Sequence, residues 1–110
     1  MLIVAISYDS ETLNSRLGAL ERMGNIVVPA SSLESGMSAI FNSFHLLIIG
    51  ATVPYEDRKQ LAAESKRLNQ RAEIISVEWP GSRRLDSADI CVAAGSEQRL
   101  IEAVKRIQYR

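Results

Sequence analysis

The chain has 110 residues, of which 46% are hydrophobic and 24% charged, and its formal net charge is zero. This size and composition are those of one compact globular domain, and they exclude a disordered or low-complexity chain. The balanced charge shows no concentrated basic face, so we expect no nucleic-acid partner. We predict a single domain over residues 1–110.

No segment has the character of a membrane span or an export signal. The longest apolar run, residues 46–49, extends at most to Val53, whereas a bilayer span needs about 20 apolar residues. Residues 2–6 are too few for the apolar part of a signal peptide. Cys91 is the single cysteine and cannot form an internal disulfide. We therefore expect a cytoplasmic protein that does not bind a membrane.

The first predicted element, residues 2–6, is a continuous apolar run typical of a strand covered by helices on both faces. Asp9 or Ser10 can cap the helix that follows, and Gly24 suits its left-handed end. The residues expected on the buried face of this helix are Leu13, Leu17, Leu20 and Met23.

A second strand is predicted at residues 26–28, followed by a second helix. Ser31 and Glu34 have the spacing of a capping box at the start of this helix. A third strand, residues 44–49, then runs to Gly50. The apolar stripe of the second helix would consist of Leu33, Met37, Ile40, Phe41 and Phe44.

The second half continues the alternation with a helix over residues 55–70, strands over residues 73–77 and 89–92, and a last helix capped by Ser96. The residues expected to be buried by this last helix are Leu100, Ile101, Val104 and Ile107.

The helix over residues 55–70 is strongly polar. Leu61 and Leu68 are its expected inward anchors. Its basic residues, Arg58 and Lys59 among them, alternate with acidic ones, and this pattern is typical of a solvated face with local ion pairs.

Alternating strands and helices imply an α/β fold with a parallel sheet and right-handed crossovers. The doubly wound order 2-1-3-4-5 fits five such units and places a crevice at the carboxyl ends of strands 1 and 3. Between strands 4 and 5, residues 78–88 include Pro80 and Gly81 and leave room for about one helical turn. We therefore expect the fourth helix of this arrangement to be truncated or absent.

Three stretches of the sequence resemble the receiver domains of response regulators, the CheY-like family. They are LGALERMGNIVVPASS at residues 17–32, Gly-x-x-Val-Pro at residues 50–54 where receivers carry Asp-x-x-Met-Pro, and Ser-Ala-Asp at residues 87–89. The resemblance extends over nearly the whole chain. It implies the flavodoxin-like receiver fold and a role in signal transduction related to phosphorelays.

The residues that the resemblance places at the phosphorylation site differ from those that receivers use. Gly50 stands at the phosphoacceptor aspartate, and the acidic pair that would hold Mg²⁺ is absent. Mg²⁺ prefers carboxylate oxygens, so we expect a pseudo-receiver without aspartyl phosphorylation, metal or other cofactor. The degenerate positions are Ser7, Tyr8, Asp9, Gly50, Val77 and Ala94.

The favoured hypothesis is a stand-alone receiver-like module that is not an enzyme and that binds another protein or forms a homodimer. Tryptophan and arginine are enriched at interface hot spots, although Trp79 beside Pro80 can equally cover the core. The candidate interaction surface is Trp79, Arg83, Arg84 and Leu85, beside the exposed side of strands 4 and 5.

The alternative hypothesis is a small-ligand-binding or enzymatic domain that uses the crevice at the carboxyl ends of strands 1 and 3. The sequence has no Gly-x-Gly-x-x-Gly fingerprint after the first strand, no P-loop and no recognisable nucleophile–base pair. Binding of a ligand without chemistry remains open at this point.

Overall fold

Nine elements build the domain in a computed structural model that describes all residues from Met1 to Arg110. In chain order they are β1 (Leu2–Ile6), α1 (Ser10–Arg22), β2 (Ile26–Ala30), α2 (Leu33–Ala39), β3 (Leu46–Ile49), α3 (Tyr55–Leu68), β4 (Glu73–Glu78), β5 (Ile90–Ala93) and α4 (Glu97–Gln108).

The five strands form one parallel sheet in the order β2-β1-β3-β4-β5, as predicted. Helices cover both faces of this sheet, which is why β1 and β3 are continuous apolar runs. One face packs against α1 and α4 through Leu20 and Leu100. The other packs against α2 and α3 through Ala39 and Leu61. None of the helices is both long and apolar enough to cross a bilayer.

No helix lies between β4 and β5, which confirms the predicted loss of that crossover helix. Leu85, in the connecting segment, is only 2% exposed and joins the core on the α2 and α3 face. The prediction that Leu85 lies on an interaction surface is therefore wrong. Its side chain covers apolar surface that a crossover helix would otherwise bury.

Local capping differs from the prediction at the start of α2. Ser32, not Ser31, is the N-cap, and its hydroxyl accepts a hydrogen bond from the backbone N–H of Ser35. The Ser35 hydroxyl completes the capping box in place of Glu34, because the helix begins one residue later than the spacing suggested. Asp9 caps α1, as one of the two predicted candidates.

Two apolar residues predicted to be buried are exposed instead. Phe41 is 68% exposed because α2 ends at Ala39, so helical periodicity does not continue to this position. Leu68 is 36% exposed at the last residue of α3, where the helix leaves the sheet. Both residues lie at a helix end, whereas Ile40 and Phe44, which belong to the same predicted stripe as Phe41, are buried.

Candidate functional site

The crevice lies where β1 and β3 end, and hydroxyl groups close its floor. Ser7 is 1% exposed, and its Oγ donates to the backbone carbonyl of Asp9 at 3.1 Å. Thr52 Oγ1 accepts from the backbone N–H of Tyr8 at 2.9 Å and lies 3.3 Å from Ser7 Oγ. These bonds hold the loops after β1 and β3 together without any charged group.

Asp9 directs its carboxylate to the start of α1. Its Oδ2 accepts from the backbone N–H of Thr12 at 3.3 Å and from the Thr12 hydroxyl. The hydrogen bond from the Thr12 side chain is the main reason that the pKa of Asp9 is lowered. No group of three or more histidine, cysteine, aspartate or glutamate side chains is placed to hold a metal ion. Asp9 therefore acts as a helix cap.

Tyr8 spans from the end of β1 to α3. Its hydroxyl donates to Asp57 Oδ2 at 2.9 Å. Burial raises the pKa of Tyr8 to about 12, and the hydrogen bond and negative charge of Asp57 add to this rise. The carboxylate of Asp57 thereby holds the Tyr8 side chain against α3.

A titration of the three tyrosines tests this contact. Ultraviolet absorbance should show one tyrosine with a pKa of about 12, and Asp57→Asn should lower that pKa toward 10. The folded protein holds this proton more tightly than the unfolded chain. The contact therefore contributes fully to stability below pH 10, and its contribution is lost as the pH rises through about 12. If Asp57→Asn leaves the pKa of Tyr8 unchanged at about 12, the contact with Asp57 is not formed.

Gly50 stands where a side chain has no room. Its backbone N–H donates to the carbonyl of Ile6 at 2.7 Å. A Cβ atom at this position would lie 2.8 Å from that same backbone oxygen and 3.3 Å from Nη1 of Arg16. Real Cβ atoms essentially never approach a backbone oxygen so closely. The glycine is required by the packing of the loop against β1.

Arg16 reaches this position from α1 and is only 3% exposed. Its Nη2 lies 2.7 Å from Oε1 of Glu97 at the start of α4, and its Nε donates to Oε2 at 3.4 Å. Nη1 is buried and has no hydrogen-bond partner. A cation thus lies beside Gly50.

Arg58 reaches the crevice from the opposite side. The prediction that it lies on a solvated face is wrong. The residue is 5% exposed, and its Nη1 donates to the carbonyl of Gly50 at 2.7 Å. Its Nη2 donates to the carbonyl of Val77 at 2.9 Å and to the hydroxyl of Ser76. Burial lowers the pKa of Arg58, and the charge of Glu78 acts in the opposite direction.

Glu78 completes this buried network at the end of β4. Its Oε2 lies 3.7 Å from Nη2 of Arg58 and accepts from the Ser76 hydroxyl at 2.8 Å. The same oxygen accepts from the backbone N–H of Leu85 at 2.8 Å. The network fastens the β4–β5 connection to the sheet, where a receiver would have its next helix.

Helical spacing carried a signal for both buried arginines. Arg16 follows Leu13 by three residues and precedes Leu20 by four, so it lies on the buried face of α1. Arg58 precedes Leu61 by three residues and Ala62 by four, so it lies on the buried face of α3. Because arginine is charged, this spacing was not counted as part of a buried stripe.

The remaining predicted positions add no reactive group. Val77 is 4% exposed in the core on the α1 and α4 face, and Ala94 packs against that core. The crevice encloses about 250 Å³. Its polar lining comes from Ser7, Thr12, Arg16, Thr52 and Glu97. Each arginine at the crevice is paired with a glutamate, so the site is close to neutral.

The predicted interaction surface is only partly assembled. Trp79 is 54% exposed at the rim of the crevice, and Arg84 is exposed. The guanidinium carbon of Arg83 lies 4.4 Å from the centre of the Tyr55 ring, a cation–π contact that anchors the segment to α3. These three residues are exposed, whereas Leu85 is part of the core.

No family model matches the chain, and no curated protein matches it in sequence. Solved structures do match. A response regulator receiver domain protein from Clostridium thermocellum is 23% identical with a TM-score of 0.83, covering 99% of this chain and 94% of that one. A CheY-like receiver domain protein from Methanospirillum hungatei is 22% identical with a TM-score of 0.82, covering 98% and 94%.

The response regulator TrrA from Thermotoga maritima, in complex with Mg²⁺ and BeF, is 20% identical with a TM-score of 0.82, covering 96% of this chain and 97% of that one. The structural neighbours are thus CheY-like receiver domains of nearly the same length. The sheet order and the connectivity agree with them. The chain has the flavodoxin-like fold of response regulator receiver domains.

Proposed function

We propose that this protein is an atypical receiver-like signalling module that acts by binding another protein or itself, without aspartyl phosphorylation and without enzymatic activity. The fold supports a signalling role because the structural neighbours are receiver domains. The lone thiol of Cys91 is compatible with the reducing conditions of the cytoplasm.

The observation that carries this proposal is the filled space at Gly50. A phosphoacceptor needs a carboxylate at this position and further carboxylates to hold Mg²⁺. Instead, the backbone oxygen of Ile6 and the guanidinium of Arg16 occupy the volume that a side chain would need.

The test is a titration of the protein with Mg²⁺ and beryllofluoride, followed by amide NMR and by thermal unfolding. We expect no saturable shift of the Ser7, Gly50 and Thr52 amides and no rise in Tm. TrrA, which was crystallised with Mg²⁺ and BeF, is the positive control under the same conditions. Saturable shifts at these amides would overturn the proposal.

Ligand binding in the crevice is the second candidate function. The specific observation in its favour is Nη1 of Arg16, a buried donor without a partner beside a cavity of about 250 Å³. A small molecule with an acceptor oxygen would satisfy this donor. A thermal-shift panel of metabolites tests it, and Arg16→Leu should abolish any stabilisation that the panel shows.

A further inference from the structure

The two edge strands of the sheet differ in how they are protected. β2 carries Pro29, which has no backbone N–H to donate to an added strand. β5, with the sequence Ile-Cys-Val-Ala, contains neither proline nor a charged residue. Charges and prolines are the usual devices that keep an edge strand from pairing with other chains. β5 lacks both, and no crossover helix lies between it and β4.

The outer side of β5 presents unpaired backbone groups. The backbone N–H of Asp89 donates inward to the carbonyl of Ile74 at 2.9 Å. Backbone groups alternate in direction along a strand, so those of Ile90 and Val92 point away from β4. A further extended segment can therefore form hydrogen bonds along this edge.

Arginines border this edge on both faces of the sheet. On the α4 side, a groove of about 330 Å³ runs along β5 and is lined by Arg99 and Arg106. On the opposite side, a groove of about 320 Å³ is lined by Arg84 and Trp79. Neighbouring residues of a strand point to opposite faces. A segment added to β5 would thus place its side chains alternately into the two grooves.

These three arginines are exposed and available for a partner. None of Arg84, Arg99 and Arg106 takes part in any of the ion pairs of the protein. Glu102 is the exposed carboxylate between them on α4, and Gln98 donates a hydrogen bond to it. The border of β5 therefore carries an excess of unpaired positive charge.

We propose that the β5 edge binds an extended acidic segment of a partner protein, which adds a sixth strand to the sheet and places its carboxylates on Arg84, Arg99 and Arg106. This inference rests on the proposed function as a protein-binding module. A second copy of the chain fits the edge poorly, because pairing β5 with β5 would bring both sets of arginines together.

The first experiment uses a short synthetic peptide of alternating Glu-Glu and Thr-Thr pairs, which places carboxylates on both faces of an added strand, and the same peptide with Lys in place of Glu. Titration of the Glu peptide should shift the amide signals of residues 89–94 saturably, with an affinity that falls as salt is raised. The Lys peptide should produce no such shifts. Equal shifts with both peptides, or none with either, would overturn the proposal.

Charge reversal of the groove provides the variants. Arg99→Glu with Arg106→Glu should weaken binding of the Glu peptide by about tenfold or more. Lys105→Glu is the matched control on the same helix, because Lys105 is exposed and does not line the groove. It should change the affinity by less than about twofold. A similar loss in both variants would show that only the net charge matters, which contradicts the proposal.

Ile90→Pro tests the strand pairing itself, since it gives β5 the device that Pro29 gives β2. Proline is tolerated at the first residue of a strand, and Ile90 holds that position. The variant should lose peptide binding while its far-UV circular dichroism stays that of the folded protein. If the folded Ile90→Pro variant still binds the peptide, strand addition is contradicted. If the Ile90→Pro variant does not fold, the charge-reversal variants test the proposal.

The same NMR spectra separate this inference from the proposed function. Shifts at Ser7 and Gly50 with Mg²⁺ and beryllofluoride would refute the phosphorylation-independent role and leave the β5 result standing. If the Glu peptide shifts no β5 amide signal and Mg²⁺ with beryllofluoride shifts no crevice amide signal, only the proposal of an acidic added strand is refuted. Sedimentation of the protein alone should show a monomer at the peptide-binding concentrations, and a dimer that the Ile90→Pro variant abolishes would contradict the choice of partner.

Discussion

Replacement of Arg58 by alanine is expected to lower the free energy of unfolding by about 3–5 kcal/mol, the usual cost of removing one partner from a buried ion pair. The guanidinium donates to the carbonyls of Gly50 and Val77 and lies beside the largely buried Glu78. Its loss removes one donor from each of these carbonyls and leaves the carboxylate without a cation. Chemical denaturation followed by circular dichroism measures the change.

Lys59→Ala is the matched control for Arg58→Ala. Lys59 is the next residue of α3, and its exposed amino group lies 3.1 Å from Glu56. An exposed pair of this kind contributes little, so its removal should change stability by less than about 1 kcal/mol. Equal effects of the two substitutions would show that the Arg58 guanidinium is solvated and that the network does not hold the β4–β5 connection.

A double-mutant cycle isolates the pair itself. Glu78→Gln keeps the acceptor oxygen for the Leu85 N–H but removes the charge that faces Arg58. The double variant with Arg58→Met should lose clearly less free energy of unfolding than the sum of the two single variants. The reason is that the first substitution already removes the interaction between the two side chains. Strict additivity would mean that the two side chains do not interact.

The fold could be predicted from the sequence because both of its determinants are local. Apolar runs of strand length alternate with helical stripes, and only a parallel doubly wound sheet accommodates five such units with short connections. The missing helix was predictable too, since Pro80 and Gly81 interrupt a segment too short to hold one. Element boundaries were less accurate, as the start of α2 at Leu33 shows.

The candidate site was predictable only in what it lacks. The glycine at position 50 is visible in the sequence, but the groups that fill the space around it are not. Arg16 and Arg58 come from two different helices and meet β3 from opposite sides, which depends on the tertiary packing. Leu85 was misassigned for the same reason, because nothing in its neighbourhood shows that it covers the core.

The two buried arginines of the crevice share one arrangement. In a site that holds Mg²⁺, carboxylates need a metal to offset their mutual repulsion. Here each arginine brings its own carboxylate, Glu97 for Arg16 and Glu78 for Arg58. The charge of the crevice is therefore balanced by internal ion pairs.

Gly50→Ala is expected to lower the free energy of unfolding by about 1–3 kcal/mol, the range for overpacking a well-filled position. The new methyl group would lie 2.8 Å from the backbone oxygen of Ile6, which cannot move without shifting β1. Backbone strain adds nothing to this cost, because Gly50 is not among the glycines with positive φ. Gly50→Asp should be destabilised at least as much.

Gly18→Ala is the matched control for the substitution at Gly50. Its Cβ would meet only the far end of the exposed Arg22 side chain, at 3.1 Å, and alanine is favoured over glycine inside a helix by about 1 kcal/mol. The same chemical change should therefore stabilise α1 and destabilise the crevice. Introducing a carboxylate with Gly50→Asp should not create a binding site for Mg²⁺ and beryllofluoride, since Arg16 and the Ile6 carbonyl still occupy the site. A Gly50→Asp variant as stable as the native protein, with a saturable beryllofluoride response, would show that the space at residue 50 is open and that a single substitution separates this crevice from a phosphorylatable one.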